Sequence, residues 1–587
     1  MCTSDAPALT RSRALEFESR RPIASFPPIF PAPRVDPLRY YRSDLGPGDC
    51  GSLKLSASDT DFRLGEIELN GVFAAHLLSI FETTPQAWIP LLSRPNSPLV
   101  RQSFEEAGRR LEALSPELEV LATAMLATAA RALDHPFLIG APPAQAPPSS
   151  ASHGSPISPV SAAPATDQSA QSLDRPLAPV IAPDGDLREF GQRREDACRA
   201  IKAHALKLAQ KRGVTITTSD ANAISCYLLD HLERHTPTFS GQPFRAAFVN
   251  HVRVLASQTD TSVRTRWEWT VMALREALVA VGDGTVCYFN NSDDLLLNET
   301  VPLPLPELLS VMKEKETAFR QAVAYNVQLE PELVQRQFEV ATNSVVFHLT
   351  RLARECIEKI TSPPARRFPL DLTFLLSLPS RLETAERSLR GLAALSSSVL
   401  ALPPASINKV SRVLCRVTLL TSQVSYPSLI LPVYLALRSH PLLPSTPLPP
   451  FVLLDLERRS LASVRRLAMW LAEAPSLTWK THVALVVKDE WISVLSEAPT
   501  VEEGGRGITM EEKKRELGWV IRGLKEYGWS WQSDDNLISS LENRLAELSL
   551  PIAYPAHPSF PTFPSFRDVG YAEGGPSSYA QVWVIQQ

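Results

Sequence analysis

At 587 residues the chain is too long for one ordinary core, and it calls for two to four units or one extended helical array. Its 59 Lys+Arg against 63 Asp+Glu leave a net charge of −4, which argues against a whole-chain nucleic-acid binder. The seven cysteines (Cys2, Cys50, Cys198, Cys226, Cys287, Cys356 and Cys415) are odd in number and scattered, so they fit neither a disulfide framework nor a zinc site and suit a reducing compartment.

In chain order, residues 1–63 carry scattered Pro and Arg without helical period and read as a disordered N-terminal segment. No apolar core follows the basic residues at the N-terminus, so no signal peptide is expected. Order begins near Leu64, and residues 64–140 read as a first helical group. Phe73, Leu77 and Ile80 stand at helical spacing, and a second helix runs through Phe104 and Leu111. The third, "SPELEVLATAMLATAARALDHP", opens on Ser115 as N-cap with Pro116 at the first helical position. Its apolar stripes, Leu114, Leu118, Leu121, Met125, Ala129 and Ala122, Leu126, Ala130, Leu133, cover more than half the circumference, so the helix should be mostly buried.

Residues 141–185 are mostly Pro, Ala, Ser and Gln. They bury too little to offset their ordering entropy and read as a disordered linker. Residues 186–548 return to helical pattern. Ala197, Ile201, His204/Ala205 and Leu208 share one face, with basic residues on the other and Gly213 as stop. A Ser/Thr-capped helix follows through Ile224, Leu228, Leu229 and Leu232. Helical pattern then covers Leu305 to about Ile360, Leu370 to Leu402 and Ile407 to Leu437, with later helices in "LDLERRSLASVRRLAMWLAEAP", "TMEEKKRELGWVIRGLKEYGW" and "DDNLISSLENRLAEL". Only "HVALVV" (His482 to Val487) is strand-like, and residues 549–587 form an irregular tail. The most apolar run, "YPSLILPVYLAL", is too short to span a bilayer and holds two prolines. The expected fold class is all-α: a multi-helical array with a long disordered N-terminus and a Pro/Ala/Ser-rich insert.

The candidate chemistry is thin. Asp134-His135 resembles part of a catalytic dyad, but adjacent side chains diverge and no GxSxG nucleophile elbow occurs, so a helix stop before Pro136 is the better reading. Arg131 and His135 then sit near the negative end of the helix dipole. His231 and His235 stand four apart, a spacing that can bind metal, yet Leu232 occupies the position where a metalloprotease needs Glu, and no third ligand is near. "VGDGTVCYF" lacks the order of a dinucleotide site and reads as a helix stop and turn. Basic pairs such as Arg193-Arg194, Arg264/Arg266 and Arg366-Arg367 read as solvated faces. Trp267 and Trp269 cannot share one helical face, so at least one packs against another element. No catalytic, cofactor-binding or metal residue is assigned, and the chain is read as a non-enzyme.

Four segments carry a resemblance. "LSPELEVLATAMLATAARALDHPFLIG", "REDACRAIKAHALKLAQKRGVTITTSDANAISCYLLDHL", "RTRWEWTVMALREALVAVGDGTVCYFNNSDDLLL" and "GLKEYGWSWQSDDNLISSLENRL", in that order and spacing, are similar to the helical middle homology region of the fungal zinc-cluster transcription factor family. The resemblance covers roughly Leu64 to Leu548. It implies a nuclear regulator of RNA polymerase II transcription, whose helical domain works through protein partners of the transcription machinery, a homodimer partner or a small ligand. In that family DNA is contacted through an N-terminal binuclear zinc cluster of six closely spaced cysteines. Cys198 and Cys226, the nearest pair here, cannot build one. Two alternatives stay open: the chain starts downstream of such a module, or it is a regulatory subunit without its own DNA reader. Zinc is expected only with the former, DNA contact only indirectly or through that module, and no membrane contact is expected. The competing expectation is a cytosolic helical scaffold for protein interactions.

Overall fold

In the computed structural model the described residues lie within 71–549, excepting 83, 89–95, 134–137, 139–185, 235–242, 259–262, 299–301, 442–447, 474–491, 493, 501–506 and 532–534. The expected disordered N-terminus, linker and tail, the Asp134-His135 pair, His235 and the "HVALVV" run therefore lie outside them. Among the described residues there is no β-strand, only an isolated bridge between Thr500 and Ile508, and the fold class is all-α as the periodicity predicts. No helix among them is long and apolar enough to cross a membrane.

An N-terminal group forms around a buried helix. Helices α1 (Gly71–Phe81), α2 (Asn96–Glu106) and α3 (Pro116–Ala129) are followed by α4 (Arg188–Lys211), α5 (Asp220–Glu233) and α6 (Pro243–Ser257). Helix α3 packs against α1, α4 and α5 at once, which explains its composition. Every residue from Glu119 to Ala129 is buried, and its alanines let three neighbours come close. Ser115 caps it, accepting the Leu118 N–H at 3.5 Å, with Pro116 behind. Helix α4 stops at Gly213, whose φ of +66° is a left-handed value that glycine adopts without Cβ strain. The Val214 N–H then reaches back to the Ala209 carbonyl at 3.1 Å.

Helix α7 (Val263–Asp283) joins this group to a second one. Its Trp269, fully buried, meets Phe248 of α6 at 6.3 Å between ring centroids, the packing expected of at least one of that tryptophan pair. One to three turns further on, Leu274, Ala277 and Val281 enter the main core. That core gathers α9 (Leu305–Ala324), α10 (Pro331–Cys356), α11 (Leu372–Leu400), α12 (Lys409–Arg438), α13 (Pro450–Glu473), α14 (Met510–Tyr527) and α15 (Asp535–Ser549). The short α8 (Asn291–Leu297) packs on α6 and α7 and starts with a capping box between Asn290 and Asp293. Helix α12 lies at the centre and touches α7, α10, α11 and α13. It contains Pro427 and Pro432, each of which removes a helical hydrogen bond, yet Leu429, Ile430, Leu431 and Val433 are fully buried around them. Burial on all sides outweighs the helix-breaking tendency.

The helical stretch from Leu305 to about Ile360 is in fact two helices. It breaks at Tyr325–Glu330, where Asn326 takes a φ of +50° and Pro331 opens α10. Asn tolerates the left-handed region through its short polar side chain, which lets a turn form without glycine.

Helix α14 starts in a capping box. Glu512 N–H donates to Thr509 Oγ1 at 3.2 Å, Thr509 N–H donates back to Glu512 Oε2 at 3.0 Å, and Arg465 of α13 donates to Glu512 Oε1 at 2.9 Å. The Thr509 N–H first, then its hydroxyl and Arg465, hold the Glu512 carboxyl down to about 2. A carboxyl depressed in the folded state stabilises fully above its unfolded value, here 4.5, and loses that contribution as pH falls through its folded value. The melting-temperature gap between wild type and Glu512→Gln should therefore be widest above pH 4.5 and close as pH drops toward 2. A gap constant across that window would mean the charge contributes nothing.

Candidate functional site: a buried arginine network

Two arginines on apolar stripes define the site. In α4, Arg194 continues the stripe of Ala197, Cys198, Ile201 and Ala205, and it is fully buried. In α6, Arg245 shares a face with Phe248, Val249 and Val252, and it is 2% exposed. A guanidinium placed there has to be satisfied inside the protein.

Around Arg194 the partners are aromatic rings and carbonyls. Its guanidinium lies over the Trp529 ring at 4.4 Å, and Nη1 donates to the Arg131 carbonyl at the end of α3 at 2.7 Å. Arg131 in turn pairs bidentately with Glu195 and lies over the Trp531 ring at 4.8 Å. Both tryptophans come from the segment directly after α14. Gly528 and Gly191 make this approach possible: a Cβ on Gly191 would stand 1.9 Å from the Gly528 carbonyl oxygen. The backbones of α4 and this segment thus touch, and the two rings on either side of Ser530 lie against the arginines.

The second part lies between α5, α6 and α7. Arg234 donates to Asp230 at 3.1 Å, Arg245 donates to Asp283 at 3.0 Å, and Arg245 Nε stands 3.6 Å from Asp230 Oδ1. Arg275 lies over the Tyr227 ring at 4.2 Å. Asp230, Arg234, Arg245 and Arg275 line a cavity of about 10 Å³, the size of one water, to which Glu276 also contributes. Burial draws Arg234 down to about 10, an effect that Asp230 opposes and the neighbouring Arg245 and Arg275 reinforce. Burial also raises Glu276, against hydrogen bonds from the Cys287 thiol at 2.6 Å and the Tyr288 N–H at 3.1 Å.

His231 connects the two parts. Its ring meets Trp531 edge-on at 6.1 Å, Nδ1 accepts from Arg275 at 3.3 Å, and Nε2 lies 2.9 Å from the Gln86 amide. Both ring nitrogens are engaged, and a guanidinium beside the imidazole repels a metal cation. The metal-spaced pair of the sequence is thus resolved for His231 as a network member, while His235 lies outside the described residues. Among the described residues no group of three or more His, Cys, Asp or Glu stands together in a way that could hold a metal ion.

Chemically, the arrangement holds charge in place. Burial pushes up the thiols of Cys198, Cys226 and Cys287, and takes Cys356 and Cys415 to about 12, so these cysteines are thiols and not thiolates at neutral pH. Burial likewise raises the Tyr227 phenol. The network's sequence signal was available: an arginine at 194 or 245 interrupts an apolar stripe, and a solvated-face reading of Arg193-Arg194 suits only Arg193. Arg366 and Arg367 are exposed as expected, and the side chains of Arg264, Arg266 and Trp267 lie outside the described residues.

The fold and site define an all-helical protein knit by a buried guanidinium–aromatic network. Comparisons with protein-family models, curated proteins and solved structures find no match to this chain.

Proposed function

We propose that the chain is the helical regulatory domain of a fungal-type transcription regulator, a non-enzyme that acts in the nucleus on RNA polymerase II transcription through partner or ligand contacts. One observation supports this reading. The four segments that carry the resemblance all meet in the arginine network: Arg131 from the first, Glu195 and His231 from the second, Arg275 and Asp283 from the third, Trp529 and Trp531 from the fourth. Segments spread over 400 residues of sequence that share one buried network form a cooperative unit, which a domain transmitting a signal requires.

A second reading, a helical scaffold for protein interactions in the cytosol, is favoured by exposed apolar side chains around the α9–α10 turn. Tyr325 is 79% exposed and Leu333 48%. The two are separated by tagging the chain in its native cell and measuring its location and its occupancy of chromatin. Nuclear protein enriched at promoters is the expected result. A strictly cytosolic protein with no promoter enrichment overturns the regulatory reading and leaves the scaffold.

A further inference from the structure

An acid, a thiol and a guanidinium meet where the loop after α7 passes the end of α10. Gly284, with a φ of +60°, ends α7, and the Thr285 N–H reaches back to the Ala280 carbonyl at 3.0 Å. A Cβ on Gly284 would stand 3.3 Å from the Thr361 carbonyl oxygen, so the loop starts against the π-helical turn Ile357–Thr361 that follows α10. Three residues on, the Cys287 thiol donates to Glu276 of α7 at 2.6 Å, and the Asn290 carbonyl accepts from Arg354 Nη1 of α10 at 3.0 Å.

Each of the three groups is placed for more than packing. Glu276 is 5% exposed, and burial raises its carboxyl, which suits it to take up a proton. Arg354 is 2% exposed. Its Nη1 also donates to Asp294 at 2.6 Å, but Nε and Nη2 have no hydrogen-bond partner among the described residues. Burial and then Glu276 push the Cys287 thiol up, and the Arg354 charge beside it opposes them. Among the described cysteines Cys287 alone is not buried, and Val286 next to it is 52% exposed. A small molecule from solvent thus reaches a sulfur that has an acid at hydrogen-bond distance and unused N–H donors nearby.

We propose that Cys287 is a site of oxidation by hydrogen peroxide, with Glu276 as the base that takes the thiol proton and Arg354 as the donor that steadies the departing oxygen. At rest the sulfur is a thiol. As peroxide approaches, the proton passes to the Glu276 carboxylate and the sulfur bonds to the nearer peroxide oxygen. The O–O bond breaks, and its electron pair leaves with the far oxygen as hydroxide, which meets the Arg354 N–H groups. The hydroxide takes the proton from Glu276 and departs as water. Sulfur is oxidised by two electrons to a sulfenic acid, and the peroxide oxygen is reduced. A nucleophile within hydrogen-bond reach of its base is the arrangement that activates such groups. The inference stands on this geometry, and the regulatory reading only makes the modification a control input.

The purified full chain is treated with hydrogen peroxide near neutral pH in the presence of dimedone, which traps sulfenic acids, and each cysteine is followed by peptide mass spectrometry. Cys287 should be labelled at least about 10-fold faster in the folded chain than in the same chain unfolded in urea. A folded rate equal to or below the unfolded one overturns the proposal, because a thiol that burial merely hides reacts more slowly than a free one. Glu276→Gln keeps the volume and an acceptor oxygen but cannot take the proton, so it should slow labelling about 100-fold while the thermal transition is retained. An unchanged or faster rate in that folded variant also overturns the proposal, and the wild-type comparison decides alone if the variant does not fold. Promoter occupancy enters neither measurement, so failure of the oxidation site and failure of the regulatory reading are told apart.

Discussion

Arg245→Ala should destabilise the folded chain by about 3–5 kcal/mol, read from the urea midpoint. The substitution removes the α6 residue that contacts two acids at once, Asp283 at 3.0 Å and Asp230 at 3.6 Å. Asp283 is 42% exposed at its side chain and can turn to water, but Asp230 is 4% exposed and cannot. Arg234 remains beside Asp230, so the acid is left half-compensated in an environment that already draws the Arg234 guanidinium down. The pair Asp230→Asn and Arg245→Met should recover much of the loss, because it removes both charges while keeping volume. A penalty below about 1 kcal/mol for the alanine variant would show that water reaches the chamber and screens it.

Trp531→Ala should cost a similar amount, about 3–5 kcal/mol, by a different route. The ring is 7% exposed and lies against both the Arg131 guanidinium and the edge of His231, so its loss opens a hole at the junction of the two parts of the network. Trp531→Phe keeps an aromatic face for Arg131 and should lose much less. A double-mutant cycle with Arg131→Met isolates the ring–cation contact, expected at about 0.5–2 kcal/mol. Additive single losses would assign Trp531 to plain packing.

The two variants probe what was hardest to read from sequence. Helix α3 was legible because its signals are local: Ser115 and Pro116 at the start, and apolar residues around most of its circumference. Helix α14 was equally plain as a helical stretch, "TMEEKKRELGWVIRGLKEYGW". The break at Asn326 was not, since no glycine or proline marks it before Pro331 and the apolar period continues on both sides. Buried arginines were missed because charge is taken as a mark of solvent, whereas Arg194 and Arg245 are placed on apolar faces and satisfied by residues far away in sequence. The partners of Arg194, Trp529 and the Arg131 carbonyl, cannot be inferred from its neighbours.

The glycine contact between α4 and the end of α14 has a consequence in time as well as space. Arg131 and the Ser530 carbonyl it reaches are separated by 399 positions, so the first arginine of the network is synthesised long before its aromatic cover. Until the segment after Tyr527 leaves the ribosome, Arg131 and Arg194 have no rings to lie under. The N-terminal helices must wait in an incompletely packed state, open to chaperones. A product truncated before residue 528 lacks both Trp529 and Trp531, so the ring cover over Arg194 and Arg131 cannot form in it.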